Sequence, residues 1–143
     1  MLNPVGQRKP RREHKPVNYW EITVKNYDLV IHEADPNHDV RRVDVIGCLD
    51  SHTVVGFEKS LHKLLDEGAE KVVIDLAELN YISSAGISAL MGLTHRLRKG
   101  SGDLVLLKPT EKVFRVFRTL GFTNIFTIVE DEEKAKAAFS SSS

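Results

Sequence analysis

Cysteine is almost missing from this chain: Cys48 is the single one among 143 residues. One cysteine excludes an internal disulfide and suits a reducing compartment, so the sequence reads as cytoplasmic. Long apolar runs are missing as well. The longest fall far short of the roughly 20 residues a membrane-spanning helix needs, and no signal-like apolar segment follows Met1, so membrane insertion is not expected. Neither sign of charge dominates, with 20 Lys plus Arg against 20 Asp plus Glu, and net charge therefore argues for no particular partner. The histidines at 14, 32, 38, 52, 62 and 95 form neither H-x-x-x-H nor H-E-x-x-H, so no metal is expected. The glycine spacings that cradle phosphates, G-x-x-x-x-G-K and G-x-G-x-x-G, do not occur, so no cofactor is expected either. No internal repeat is visible. What remains is an ordinary globular composition, 41% hydrophobic and 28% charged, at a length that suits one domain able to bury a core unaided.

One stretch organises the rest. Val72-Val73-Ile74-Asp75-Leu76 reads as a strand buried on both faces, and a short loop is expected after it. Ser83, Ser84 and Gly86 then open a segment with Ile87, Leu90, Met91, Thr94 and Leu97 at helical spacing. A serine just before such a segment is a preferred N-cap. A helix start carries unpaired N–H groups and roughly half a positive charge, so it tolerates an anion. A hydroxyl placed there is a candidate phosphate acceptor, or simply a cap.

Around that stretch the chain divides into three parts. Residues 1–17 carry Arg8, Lys9, Arg11, Arg12 and Lys15 among prolines, with too little apolar surface to order themselves, and read as a flexible basic arm. Its functional reading is contact with an acidic surface, its bland reading a solvated tail; no nucleic-acid fold accompanies it, so direct nucleic-acid binding is not expected. Residues 18–139 read as a single domain, and 140–143 as a disordered serine tail. Within the domain, Trp20–Val24 alternates as a first strand, and Leu29–Ala34 forms a hairpin with the strand marked by Val43, Val45, Ile46 and Leu49, across a turn at residues 35–39. A helix is expected from Ser51-His52-Thr53 to Gly68, and the helix of the central stretch should stop near Gly100. Leu104–Leu107 reads as a strand, Val113, Val116, Phe117 and Leu120 stripe a third helix, Asn124–Val129 is a last strand, and Glu130–Phe139 is a small helix. The fold class is α/β: a mixed sheet of about five strands with helices packed mainly on one face, plus an extra N-terminal strand.

The ordered series Gly47-Cys48-Leu49-Asp50, Val73-Ile74-Asp75-Leu76, Tyr81-Ile82-Ser83-Ser84-Ala85-Gly86, Gly102-Asp103-Leu104 and Phe114-Arg115-Val116-Phe117 through Leu120-Gly121-Phe122 to Ile125-Phe126 resembles the STAS domain, the domain shared by sulfate transporters and anti-sigma factor antagonists. The resemblance covers about residues 27–139, and the free-standing size is similar to the bacterial anti-sigma factor antagonists. It implies a protein that binds a serine-kinase anti-sigma factor and is released when that kinase phosphorylates a serine in the pattern Asp-Ser-Ser/Thr-Gly; a serine phosphatase then resets it. Ser84 takes the place of the acceptor, Ala85 that of the second hydroxyl, and Gly86 is kept. Ser83 stands where the family has aspartate. The resemblance places Asp50 as the acidic residue close to the acceptor, and the predicted topology puts His52 and Thr53 on the same rim, so the expected partner surface is Asp50, His52, Thr53, Ser83, Ser84, Gly86 and Ile87.

Each of these residues also has a structural reading. Ser83 or Ser84 caps a helix, Gly86 lets that helix approach the sheet, Asp50 caps the helix that follows it, Asp75 ends its strand, and Cys48 is a small buried hydrophobe. Two other functions stay open at this point. One is a structural STAS subunit of a transport complex, such as a lipid ABC transporter, without phosphorylation. The other is a hydrolase built on Ser84 with His52 and Asp50, although G-x-S-x-G is absent, no oxyanion loop is visible and the chain is short for such a fold. The expectation is a regulator that is not itself an enzyme.

Overall fold

The strands follow from β-branched and leucine-rich runs, and the helices from apolar stripes between serine, threonine and glycine boundaries. The computed structural model describes residues 27–33 and 39–140. The expected strand at Trp20–Val24, the basic arm, Ala34, residues 35–38 of the turn and the last three serines lie outside the described residues. The strands are β1 (Tyr27–Ile31), β2 (Val40–Leu49), β3 (Lys71–Asp75), β4 (Leu79–Ile82), β5 (Asp103–Leu107) and β6 (Thr127–Val129). The helices are α1 (Val54–Asp66), α2 (Ser84–Lys99), α3 (Glu111–Thr119) and α4 (Glu132–Ser140).

The sheet is mixed, as the hairpin and the alternating strands and helices require. Its order is β1-β2-β3-β5-β6; β1 runs antiparallel to β2 and the other pairs are parallel. Val43 and Asp44 pair with both β1 and β3, whereas Gly47 pairs with both β1 and β4. A residue in a sheet has only two flanks, so β3 and β4 follow one another along the same side of β2. β4 occupies the span where a loop is expected from the sequence. It has four residues, of which only Leu79 and Ile82 are buried, too short a pattern to register as period 2. Its register is helped by Gly47 N–H, which donates to the Glu78 carbonyl at 2.9 Å.

The larger core lies on one face of the sheet. There Val43, Val45, Leu49 and Ile74 meet Phe57 and Leu61 of α1, Leu90 and Leu93 of α2, and Phe117 of α3. Fully burying each such side chain stabilises the fold by about 1.5–3 kcal/mol. Among the described residues, α4 is the helix on the opposite face, where Ala135 and Phe139 cover Val73, Val105 and Leu107. Cover on both faces explains why four of the five β3 residues, Val72 to Asp75, are buried. Several boundaries differ from expectation, among them β1, expected from Leu29 and found from Tyr27 to Ile31, and α4, expected from Glu130 and found from Glu132. Residues 51–53 form a turn, and α1 starts at Val54. Leu120 lies past the end of α3 with half its surface exposed, because Gly121 turns the chain at φ +79°. Phe122–Asn124 forms a 3-10 turn, which shortens the last strand to Thr127–Val129.

Candidate functional site

The site forms where β2 and β4 end and α1 and α2 begin. Ser83 N–H donates to the Leu49 carbonyl at 2.9 Å. That bond ties the start of α2 to the end of β2, so Ser84 and Asp50 are each one residue away from a bonded pair. Ser83 is the N-cap of α2; its backbone is extended and its Oγ accepts from Gly86 N–H at 3.4 Å. Ser84 is the first helical residue and is exposed. Its hydroxyl therefore stands at the positive end of a four-turn helix, among N–H groups that have no partner within the helix. Gly86 is buried for a steric reason. A Cβ there would meet the Leu49 carbonyl oxygen and Ile82 Cγ1, both at 2.8 Å, so α2 approaches the strand ends closer than any side chain would allow.

Asp50 organises the neighbouring turn. Its Oδ1 accepts from His52 N–H at 2.9 Å and Thr53 N–H at 3.2 Å. Thr53 Oγ1 accepts from Asp50 N–H at 3.0 Å and donates to the Cys48 carbonyl at 2.9 Å. The structure thus keeps Asp50 half-buried with its carboxylate on the rim, while the Thr53 hydroxyl is turned inward. Of the seven residues expected on the partner surface, His52 and Ser84 are exposed, Asp50 and Ser83 are half-buried, and Thr53, Gly86 and Ile87 are buried. The last three shape the rim from beneath. Cys48 is half-buried, more open than the buried hydrophobe expected of it. Among the described residues, neither the His52 ring nor the Asp50 carboxylate hydrogen-bonds the Ser84 hydroxyl, and no nucleophile–base pair is assembled.

Two side chains on the elements that meet here were not singled out from sequence. Tyr81, on β4, and Val55, in the first turn of α1, expose 49% and 67% of their surface. The available signal was an apolar residue out of phase with the buried stripe: Val55 falls between Val54 and Phe57, and Tyr81 sits beside Ile82.

The opposite end of β2 is built from charges. Arg42 Nε donates to Asp44 at 3.3 Å and Nη1 to Glu132 of α4 at 2.7 Å, while Nη2 reaches Asp75 at the end of β3. Asp75 also accepts from Ala77 N–H at 2.8 Å, so it ends its strand as expected. His32 Nε2 lies 3.0 Å from Asp44 Oδ2. Burial works to lower the Arg42 pKa, but the hydrogen bonds it donates to Glu132 and Asp44, with the charges of Glu132 and Asp75, raise it. In return, the hydrogen bond and charge of Arg42 hold the Glu132 carboxyl below its ordinary value. Burial, with the charge of Asp28, pushes Tyr27 up to about 12. Among the described residues no group of His, Cys, Asp and Glu is arranged to hold a metal ion, and no helix is long and apolar enough to cross a membrane.

Comparison with known proteins bears on this geometry. BtrV of Bordetella bronchiseptica, which carries an anti-sigma factor antagonist name, is 38% identical over 93 residues, 65% of this chain and 80% of BtrV. The anti-sigma-B factor antagonist of Staphylococcus epidermidis is 28% identical over 108 residues, 76% of this chain and 95% of that protein. Among solved structures, the anti-sigma factor antagonist SpoIIAA in its unphosphorylated form superimposes with a TM-score of 0.67 at 20% identity, over 80% of this chain and 97% of SpoIIAA. Residues 33–135 match the family model described as STAS domain. That span runs from just past β1 into α4 and takes in both ends of β2, and on this match the chain belongs to the STAS domain family.

Proposed function

We propose that this chain is an anti-sigma factor antagonist in a phosphorylation-controlled partner switch. It docks through the Ser84 rim onto a serine-kinase anti-sigma factor while Ser84 is unmodified, leaves when Ser84 is phosphorylated, and is reset by a serine phosphatase. In this reading it is a binding module and a kinase substrate, not an enzyme. The observation that carries it is the exposed Ser84 hydroxyl at the start of α2, one residue along from the bond that joins α2 to the Asp50 turn.

The physics needs little else. Unmodified, Ser84 is small and neutral and lies within a protein contact at little cost. Transfer of the γ-phosphoryl group of ATP to its Oγ breaks the β,γ-phosphoanhydride bond, leaves ADP, releases the hydroxyl proton and adds about −1.5 to −2 charges to the side chain. The helix start offsets that by less than about 1 kcal/mol at an exposed site. Asp50 on the same rim opposes it, as does any acidic or apolar partner surface. A penalty of about 3–4 kcal/mol dissociates a micromolar complex, since each 1.4 kcal/mol is tenfold in affinity. Ser83, in the family's aspartate position, retains the capping oxygen and drops the charge, so recognition by the kinase rests on Asp50, His52 and the exposed Tyr81 and Val55.

Incubation of the full chain with its cognate ATP-binding kinase and ATP tests the reading. The expected product is heavier by one phosphate, mapped to Ser84 and absent from Ser84→Ala. No phosphate, or phosphate on Ser83 that persists in Ser84→Ala, contradicts it.

A further inference from the structure

The rim that carries Ser84 is short of charge. Ser51–Phe57 forms the turn and the start of α1, and Leu79–His95 forms β4 and most of α2. Neither span contains an Asp, Glu, Lys or Arg, in a chain that is 28% charged. Asp50 is the carboxylate on this rim, and its Oδ1 is held by the N–H groups of His52 and Thr53. The core of a protein interface differs from the remaining surface by loss of charged residues and gain of aromatic ones. The depletion therefore marks a contact face of uncharged chemistry.

Two large apolar side chains stand exposed on it, one on each face of the sheet. Ile82 points to α2, since a Cβ on Gly86 would lie 2.8 Å from its Cγ1. Side chains alternate along a strand, so Tyr81, in register with Cys48, points to the opposite face. Val55 belongs to the first turn of α1, on the same face as α2. Among the described residues it is the most exposed large apolar side chain. Neither Tyr81 nor Val55 joins a hydrophobic core, so packing gives no reason for an apolar group at either position. The chain crosses from β4 to α2 through Ser83 and Ser84, between the two.

We propose that the kinase of the partner switch meets this rim with an uncharged, apolar face, anchored on Tyr81 and Val55 on either side of Ser84. This rests on the partner-switch reading and deepens it. Apolar anchors that flank the serine exclude water from its hydroxyl. A phosphate enclosed there is stripped of water, and neither rim segment holds a Lys or Arg to pair with it. Release then comes from desolvation rather than from repulsion by an acidic partner. The two causes respond differently to salt. Repulsion between separated charges fades at high salt, whereas burial of an unpaired charge stays unfavourable.

The affinity of the cognate kinase for the full chain, measured at about 0.05 and 0.5 M salt, tests this. Threonine keeps the β-branch of valine and suits an exposed strand position, so it removes apolar surface with little effect on the fold. Tyr81→Thr is expected to bind about tenfold more weakly, and Val55→Thr about three- to tenfold. Ile125→Thr changes an equally apolar exposed residue, whose carbonyl accepts from Arg98 in the last turn of α2, and should bind like wild type. Wild-type affinity should differ by less than about threefold between the two salts, and the loss in Ser84→Glu should be the same at both. Wild-type affinity in both threonine variants overturns the proposal and leaves the switch standing. So does a wild-type affinity, or a Ser84→Glu loss, that changes about tenfold with salt. A change in the chain's own oligomeric state in either threonine variant also overturns it, because a second copy is then the occupant. Ser84→Glu binding like wild type, or a kinase that does not bind wild type at all, overturns the switch and this account of release together.

Discussion

The two ends of β2 solve opposite problems. At the Arg42 end one guanidinium is gripped by Asp44, Asp75 and Glu132, and it joins three elements: β2, β3 and α4. At the Leu49 end the bonds are between backbone groups and caps, and the nearest side-chain charge is Asp50. A new negative charge at the first end would break an existing balance inside the fold. At the second end it disturbs nothing internal, because Ser84 points away from the core. The rim is therefore a place that can take up charge without disturbing the fold, which is what the proposed switch requires.

The sharpest way to break this contrast is to empty the Arg42 end. Arg42→Ala leaves Asp75, only 7% exposed, without its ion partner. Breaking a buried pair costs about 3–5 kcal/mol, and the partial exposure of Arg42 reduces that to about 2–4 kcal/mol of stability by urea unfolding. The double variant Arg42→Met/Asp75→Asn should recover most of it. Gly86→Ala moves the damage to the rim. Its methyl meets the Leu49 carbonyl oxygen, and overpacking costs about 1–3 kcal/mol while displacing Ser84. Ser83→Ala removes only the cap, for about 1 kcal/mol, whereas Ser83→Asp keeps the cap and should be near neutral in the same denaturation.

Mild acid should separate the ends most gently. The Glu132 carboxyl titrates below its ordinary value of 4.5 in the fold, held there by Arg42. Its contribution is therefore present above that ordinary value and is lost as pH falls through the lower folded one. Hydrogen exchange in α4 should rise over that acid range before exchange in α2 does. Arg42→Met should abolish the difference.

Much of this contrast was legible in the sequence at one end and hidden at the other. The rim shows itself locally: an unbroken apolar run, paired serines, a glycine, and then a helical stripe. Even there β4 escaped notice, since Leu79 and Ile82 alone carry no period, and Thr53 was placed on the surface because nothing local shows its hydroxyl reaching back to Cys48. The Arg42 end depends on residues 33 and 90 positions apart in the chain, Asp75 and Glu132. No spacing rule connects them. They meet only because β2 and β3 are parallel in a register that sets Asp44 beside Asp75, and because α4 crosses to the opposite face.

The central claim is that charge on Ser84 controls binding while the fold stays intact. The decisive measurement is the affinity of the cognate kinase for wild type, Ser84→Ala, Ser84→Asp and Ser84→Glu, with unfolding curves taken on the same samples. The account predicts Ser84→Ala binding like wild type, the two acidic variants weaker by about tenfold or more, and all four within about 0.5–1 kcal/mol in stability. Equal affinity across the four proteins, or weakened binding that merely follows lost stability, would contradict it.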